Sequence, residues 1–182
     1  MIPSFAPGEI RRIYLHWTGG DYATVYPAYH FCVALTPSGR PAVVATHDIR
    51  ANARDVRAGD APYAAHTAGR NSYALGLAIC AMSAAVPADF GRYPLRDDLL
   101  EACCELAARA CAAYAIGIDA AAVMTHAEAA VADGYFGCGD AERWDIARLV
   151  AQARPLEEAD ARRTGDLLRA RIRTYARTGM RR

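Results

Sequence analysis

The fold of this chain is decided by the stretch Arg12-Ile13-Tyr14-Leu15-His16-Trp17-Thr18-Gly19-Gly20. Its first six residues are mostly apolar or aromatic, which predicts a strand, and the Thr-Gly-Gly that follows ends it. His16 is therefore expected at the end of a strand, where a site usually opens. A lone histidine in such a place is more often structural than a metal ligand, so its meaning depends on a second one.

A second predicted strand also ends in histidine, and it reads Ala120-Ala121-Ala122-Val123-Met124-Thr125-His126. Two such strands can bring their histidines together at one edge of a sheet. A third, anionic ligand then completes a catalytic zinc site with water in the open position. The sequence after His126 offers Cys138, Asp140 and Asp145. Thiolate and carboxylate both suit zinc, so the residues alone leave this choice open.

Size and composition indicate one domain that is cytoplasmic as synthesised. The chain has 182 residues, is 53% hydrophobic and carries a net charge of +1, which gives no indication of a nucleic-acid partner. The six cysteines include the adjacent pair Cys103 and Cys104, a poor disulfide framework, and are expected to be reduced. Residues 1–8 lack the features of a signal peptide, and no apolar run approaches the roughly 20 residues of a membrane span.

Hydrophobic periodicity predicts the remaining elements. We expect a hairpin from residues 29–35 and 41–45, a central strand at 72–80, and helices at 95–114, 144–150 and 156–177. Residues 46–71 and 127–143 are expected to be loops. The predicted fold is α/β, a mixed central sheet of about five or six strands flanked by helices, with the zinc cleft at one sheet edge. Residues 1–154 form this domain, and residues 155–182 form an Arg-rich helix and tail.

Five blocks of sequence resemble one known family in their residues and their order. They are Tyr14-Leu15-His16-Trp17-Thr18; Tyr29-His30-Phe31 before a Ser38-Gly39 turn; Ala65-His66-Thr67-Ala68-Gly69-Arg70-Asn71-Ser72 running into Leu75-Gly76-Leu77; Thr125-His126-Ala127-Glu128; and Arg143-Trp144-Asp145-Ile146. Together, from Ile13 to Leu149, they resemble the zinc-dependent N-acetylmuramoyl-L-alanine amidases. That family includes phage endolysins, bacterial recycling amidases and peptidoglycan recognition proteins.

The resemblance implies a ligand set and a reaction. In the family, one histidine ends the first strand, another ends the late strand, and a downstream Asp or Cys follows a catalytic Lys by two residues. By this pattern His16 and His126 are zinc ligands, and the spacing of Arg143 and Asp145 favours Asp145 as the third, with Cys138 and Asp140 as alternatives. The implied reaction is hydrolysis of the amide between the lactyl group of N-acetylmuramic acid and L-alanine of the stem peptide.

The implied catalytic residues are Tyr29, Arg143 and Glu128. Tyr29 and Arg143 are expected to stabilise the oxyanion, with core packing as the alternative for Tyr29. Arg143 stands where the family has Lys, and a guanidinium does not readily release a proton. Glu128 is expected to shuttle a proton or orient a ligand, or to be a solvated surface acid. Ala78 stands where some relatives carry a glutamate, so the general base is not assigned.

Three further residues, His66, Asn71 and Trp17, are expected to bind substrate. Each has an alternative role: a loop-ordering hydrogen bond for His66, a brace for the same loop for Asn71, and core packing for Trp17. His30 and His47 are expected to be ordinary polar or core histidines. The Arg-rich end is either a solvated helix face or a contact for anionic surfaces; it comprises Arg162, Arg163, Arg169, Arg171, Arg173, Arg177, Arg181 and Arg182.

The resemblance implies an enzyme that uses Zn²⁺ and acts on peptidoglycan or a muropeptide. We expect a prophage-type endolysin that reaches the cell wall with help from a partner. The alternatives are a cytosolic amidase that recycles soluble anhydro-muropeptides and a non-catalytic muropeptide-binding module. The complete His, His and Asp set favours an enzyme, because non-catalytic relatives tend to lose a ligand.

Overall fold

A computed structural model describes residues 5–179. Residues 1–4, which enter the signal-peptide prediction, and Arg181 and Arg182 lie outside the described residues. In chain order the elements are β1 (Arg12–Trp17), β2 (Phe31–Leu35), β3 (Pro41–Ala45), β4 (Ala74–Ile79), α1 (Asp97–Tyr114), β5 (Val123–Thr125), α2 (His126–Asp133) and α3 (Glu158–Gly179), with a short 3₁₀ turn at Ile49–Ala51.

The strands form one mixed sheet in the order β3-β2-β4-β1-β5. β1 runs parallel to β4 and β5, β2 runs parallel to β4, and β2 and β3 form the predicted antiparallel hairpin. The three helices flank this sheet, which confirms the predicted α/β class and mixed sheet. β4 is the central strand, as expected from its nearly continuous apolar sequence.

Alternation along β1 sends its side chains to two faces of the sheet. Ile13, Leu15 and Trp17 face the helices α1 and α3 and join the main hydrophobic core. Tyr14 and His16 lie on the other face and are fully buried. Because β1 lies next to the edge strand β5, the carboxyl end of β1 brings His16 close to whatever follows β5.

The long helices follow their sequence patterns. The buried positions of α1 include Leu99, Cys103, Leu106 and Ala110, at the spacing of one helix face. The two aspartates in its first turn stabilise the helix, because their negative charges lie near the positive end of the helix dipole. Within residues 5–179, no helix combines the length and the apolar composition that crossing a bilayer requires.

Three local predictions are wrong. The segment predicted as a loop after His126 begins as α2, which Thr125 and Glu128 start with a capping box. Residues 144–150, predicted to be helical, form turns, and Ile146 has a φ of +59°, which no α-helix tolerates. The strand β5 is only three residues long, so His126 is the first residue of α2 and not the last of a strand.

The C-terminal helix α3 packs on the domain, where it contacts α1, α2 and β5. Leu168 and Ile172 on its apolar stripe are buried. Four of its arginines form ion pairs: Arg162 with Glu158, Arg163 with Asp160, Arg169 with Glu128 and Arg171 with Glu101. The division of the chain between residues 154 and 155 stays a prediction.

Candidate metal centre

Three potential ligand atoms converge beyond the carboxyl end of β1. Nδ1 of His16 lies 3.1 Å from Nδ1 of His126, which lies 3.2 Å from Oδ2 of Asp145. The third side of this triangle, from Nδ1 of His16 to Oδ2 of Asp145, is 3.5 Å long. Across residues 5–179, no other group of three His, Cys, Asp or Glu side chains is arranged to hold a metal ion.

The triangle has the dimensions of a zinc site. Zinc binds His nitrogen at about 2.0–2.1 Å and carboxylate oxygen at about 2.0–2.2 Å, so the ligand atoms of a tetrahedral site are roughly 3.3 Å apart. The observed separations of 3.1, 3.2 and 3.5 Å lie on both sides of that value. Three protein ligands are also the number typical of a catalytic site, which keeps one position for water or substrate. The residues therefore fit zinc.

Asp145 is the acidic member of this group, as the family resemblance implies from the Arg143-x-Asp145 spacing. Cys138 and Asp140, the two alternatives, are exposed and lie outside the group. Asp145 itself is only 8% exposed. An unpaired carboxylate is costly to bury, so its contact with two imidazoles is what makes this position tolerable.

Strand pairing sets the two histidines side by side. Leu15 of β1 pairs with Thr125 of β5, and each histidine is the next residue in its own chain segment. The amide of Ala127 then donates to the carbonyl oxygen of Asp145 over 3.0 Å. This bond ties the turn that carries Asp145 to the first turn of α2.

Burial and hydrogen bonding give His16 and Asp145 the protonation states that a metal requires. Burial lowers the pKa of His16 to about 4, so its imidazole is neutral at pH 7 and retains a lone pair. Burial alone would raise the pKa of Asp145, but hydrogen bonds to His126 and His16 outweigh it and hold that pKa below its usual range. The acid is ionised at neutral pH, and imidazole nitrogen and carboxylate oxygen are both zinc ligands.

The second nitrogen of His16 contacts a hydroxyl group. Nε2 of His16 lies 3.4 Å from Oγ1 of Thr67, and the same oxygen lies 2.9 Å from Nδ1 of His66. Such partners orient a metal-ligating imidazole and select its tautomer. Thr67 was not among the predicted site residues, although it belongs to the block that contains His66. Its position next to His66 in that block was the signal that could have identified it.

The loop that carries His66 packs against β4 at a glycine. A Cβ atom on Gly76 would lie 2.5 Å from Cγ of His66, so only glycine admits the ring there. Oδ1 of Asn71 accepts hydrogen bonds from the amides of His66 and Thr67, at 3.1 and 2.9 Å. These two bonds brace the loop, which is one of the two roles predicted for Asn71, and its contact with substrate stays a prediction. His66 is buried but borders the cleft beside the metal group.

A cleft of about 300 Å³ opens at the metal group, and its lining includes Tyr29 and Arg143. The Tyr29 ring lies 5.0 Å from the His16 ring, and its hydroxyl donates to the carbonyl oxygen of Trp17 over 3.2 Å. Burial, with the Asp145 charge as a smaller cause, raises the pKa of Tyr29, so the phenol stays protonated. The exposed guanidinium of Arg143 donates to the carbonyl oxygens of Asp140 and Glu142 and leaves further N–H groups for a ligand.

Of the two remaining residues predicted to act in the cleft, Trp17 is among those that line it and Glu128 is not. The Trp17 indole packs edge-on against Trp144, with ring centroids 4.6 Å apart, and belongs to the apolar core. Strand alternation explains this, because Trp17 follows His16 and points to the opposite face. Both carboxylate oxygens of Glu128 are bound to Arg169 of α3, so Glu128 is neither a solvated acid nor one of the metal group.

A larger groove of about 510 Å³ lies between the ends of α1 and α3. Its lining includes Glu105, Arg109 and Tyr175 and contains none of the three ligand candidates. Size alone therefore does not identify the site in this fold, whereas the chemistry of the lining residues does.

No family model matches the sequence, and no curated protein matches it. Among solved structures, the fold is similar to that of the N-acetylmuramyl-L-alanine amidase AmiD from E. coli in complex with the substrate anhydro-N-acetylmuramic acid-L-Ala-D-gamma-Glu-L-Lys. The sequences are 20% identical and the TM-score is 0.44. The similarity covers 68% of this chain and 50% of the amidase, so the chain spans about half the length of that protein.

Proposed function

We propose that this chain is a zinc-dependent N-acetylmuramoyl-L-alanine amidase, which hydrolyses the amide between the lactyl group of N-acetylmuramic acid and L-alanine of the stem peptide. The observation that carries the proposal is the triangle of His16, His126 and Asp145, with the ligand spacing of tetrahedral zinc, at the base of an open cleft. The five sequence blocks, in the order of that family, give the reaction.

His16, His126 and Asp145 would hold the zinc ion. A zinc ion bound there would polarise the amide carbonyl and lower the pKa of a bound water to about 7. The buried, ionised Asp145 supplies the negative charge that favours a divalent cation over an empty site. With zinc on Nδ1 of His16, Nε2 would carry the ring proton, and Oγ1 of Thr67, which lies 3.4 Å away, would accept it.

Tyr29 donates a hydrogen bond to the oxyanion that forms when the amide carbonyl is attacked. Its raised pKa keeps the phenolic proton in place at every pH at which the enzyme works. The carbonyl oxygen of Trp17 holds the hydroxyl in the absence of substrate. The phenol has a single O–H, so donating to the oxyanion replaces the bond to the Trp17 carbonyl oxygen.

Arg143 contributes charge and not a proton. A guanidinium does not readily release a proton, so Arg143 stabilises an oxyanion or a substrate carboxylate but does not protonate the leaving amine. Glu128 is excluded from proton transfer in this proposal because Arg169 binds both of its oxygens.

The biological substrate in this proposal is peptidoglycan, degraded by a prophage-type endolysin that a partner brings to the cell wall. To test it, zinc-loaded protein is incubated with intact sacculi and, separately, with soluble anhydro-muropeptide, and the products are identified by mass spectrometry. We expect free stem peptides that begin with L-alanine. Faster release from sacculi supports the endolysin, and faster release from the soluble compound supports a recycling amidase.

The matched control is His126→Ala, which removes one ligand. We expect it to lose both bound zinc and peptide release. Fragments that still contain the bond between the lactyl group and L-alanine, or full activity in metal-free protein, contradict the proposal.

A further inference from the structure

The C-terminal helix reaches the residues that carry the metal ligand His126. Arg169 of α3 binds the Glu128 carboxylate with two nitrogens: Nη1 lies 2.9 Å from Oε2 and Nη2 lies 2.8 Å from Oε1. Their side chains are 3% and 8% exposed, which makes this a buried ion pair. A two-point contact of this kind fixes the carboxylate in orientation as well as in position.

The same guanidinium also binds the strand that precedes His126. Nη1 of Arg169 donates to the carbonyl oxygen of Val123, the first residue of β5, over 2.9 Å. One side chain of α3 therefore holds the chain on both sides of the junction between β5 and α2, at Val123 and at Glu128. His126 lies between these two points.

Glu128 transmits this contact to the junction itself. Its Oε2 accepts a hydrogen bond from the amide of Thr125 over 2.9 Å, and its own amide donates to Oγ1 of Thr125 over 3.1 Å. This capping box determines where α2 begins, and the helix begins at His126. The orientation of the ligand backbone thus depends on the Glu128 carboxylate.

The surface of α3 is shaped to admit that carboxylate. A Cβ atom on Gly165 would lie 2.1 Å from Cδ of Glu128, so the helix approaches α2 at a residue without a side chain. The preceding residue, Thr164, donates its hydroxyl to the carbonyl oxygen of Ala147 over 2.8 Å. Ala147 follows Asp145 by two residues, so α3 also contacts the segment that carries the third ligand.

We infer that Arg169 is a positioning residue of the metal centre, which acts through Glu128 to hold His126 against Asp145. This inference rests on the proposed zinc site and deepens it. By this inference, α3 supports the metal centre and is more than a helix appended to the domain. Residues of this kind change metal affinity without contact to the metal.

The test compares Arg169→Lys with the matched variant Arg171→Lys. Lysine keeps the charge but loses the two-point contact, and Arg171 makes its ion pair with Glu101 of α1, away from α2. Zinc affinity is measured by competition with a chelator, and the visible absorption spectrum of the Co²⁺ form reports the coordination geometry. We expect the zinc Kd to rise about 10- to 100-fold in Arg169→Lys with a weaker cobalt spectrum, and to stay within about twofold in Arg171→Lys.

A purely structural role predicts a different result, namely a lower Tm with an unchanged zinc Kd and cobalt spectrum at a temperature where the protein is folded. That result overturns the inference. If Arg169→Lys does not fold, the double variant Glu128→Gln/Arg169→Gln leaves no unpaired buried charge and takes its place, with the same expected loss and the same contradicting result. Wild-type protein that binds no zinc overturns the proposed function and the inference together, whereas folded variants with wild-type affinity overturn the inference alone.

Discussion

The two faces of the sheet are both buried, but they are built from different residues. The face toward α1 and α3 carries Ile13, Leu15, Leu75 and Leu77, all packed into one apolar core. Along the same strands, the opposite face carries Tyr14, His16, Gly76 and Ala78, and α2 and the loop that contains His66 pack against it. Neighbouring residues of β1 therefore lie in two different parts of the molecule, the apolar core that stabilises the fold and the face that carries the proposed zinc site.

The difference also lies in the cost of burial. Apolar burial stabilises the first face without directional requirements. The second face buries four histidines, His16, His30, His66 and His126, each less than 9% exposed. Each must be neutral, hydrogen-bonded or ligated to be tolerated there. Its small residues, above all Gly76, make room for rings and not for core packing.

The largest expected effect on stability belongs to the apolar face. Leu77→Ala removes a fully buried side chain, so we expect the free energy of unfolding to fall by about 2–5 kcal/mol. Urea denaturation measures this, and a zinc titration of the folded variant should give the wild-type Kd. A tenfold loss of zinc affinity in folded Leu77→Ala would show that the two faces are not separable.

On the face of the sheet that carries His16, which we call the site face, Tyr29→Phe separates catalysis from metal binding. Loss of the hydroxyl removes one oxyanion donor, and we expect kcat to fall about 100-fold with the zinc Kd unchanged. The free energy of unfolding should change by less than about 1.5 kcal/mol, because the lost bond to the Trp17 carbonyl is a single neutral one. Steady-state kinetics on a muropeptide measures the first quantity. Wild-type kcat would remove Tyr29 from the mechanism.

Gly76→Ala tests whether the site face is built around the His66 ring. The added methyl group meets that ring at 2.5 Å, so we expect a loss of about 1–3 kcal/mol in the free energy of unfolding. His66→Ala should relieve the collision, so the double variant should be more stable than the sum of the two single changes predicts. Simple additivity in this cycle would mean that the contact contributes nothing.

The smallest effect is a pH dependence from His30, which is not a metal ligand. Burial, with the charge of His47 as a smaller cause, lowers the pKa of His30 to about 4, and Nδ1 accepts from the Gly76 amide over 3.0 Å. As the pH falls, His30 therefore takes up its proton in the unfolded chain at a higher pH than in the folded protein. The stability that neutral His30 contributes is complete above about pH 6.5 and is lost as the pH falls toward 4.

His30→Asn keeps an acceptor for the Gly76 amide and cannot titrate. We expect wild-type protein without metal to lose about 2 kcal/mol more than His30→Asn between pH 6.5 and pH 5. Urea denaturation in EDTA at both pH values measures this difference. Parallel pH profiles for the two proteins would mean that His30 is already accessible to protons in the folded state.

The sequence predicted the parts of the molecule that local patterns encode. The apolar run before Thr18 predicted β1 and placed His16 near its end, whereas Asp145 was singled out by the family resemblance. Helix α2 was missed although Thr125 and Glu128 carry the capping-box signature, because a short alanine-rich segment has little apolar periodicity. The positive φ of Ile146 left no signal in a run that resembles a helix.

Contacts between distant segments were beyond any local pattern. Arg169 and Glu128 are separated by 41 residues, and nothing near either one predicts the other. Trp17 was predicted to line the cleft because it adjoins His16. It borders the cleft, but strand alternation sends its indole to the apolar face. The Arg169–Glu128 contact depends on the tertiary structure, whereas the direction of the Trp17 side chain follows from strand alternation and could have been predicted from the sequence.

The central claim is that His16, His126 and Asp145 form one zinc site, and zinc stoichiometry in matched variants tests it most directly. Metal-free protein is titrated with zinc against a chelator for the wild type, Asp145→Ala and Asp140→Ala, since Asp140 is an exposed acid of the same segment. We predict one zinc per chain in the wild type and in Asp140→Ala, and at least a 100-fold weaker site in Asp145→Ala. Equal zinc binding by all three proteins would contradict the account.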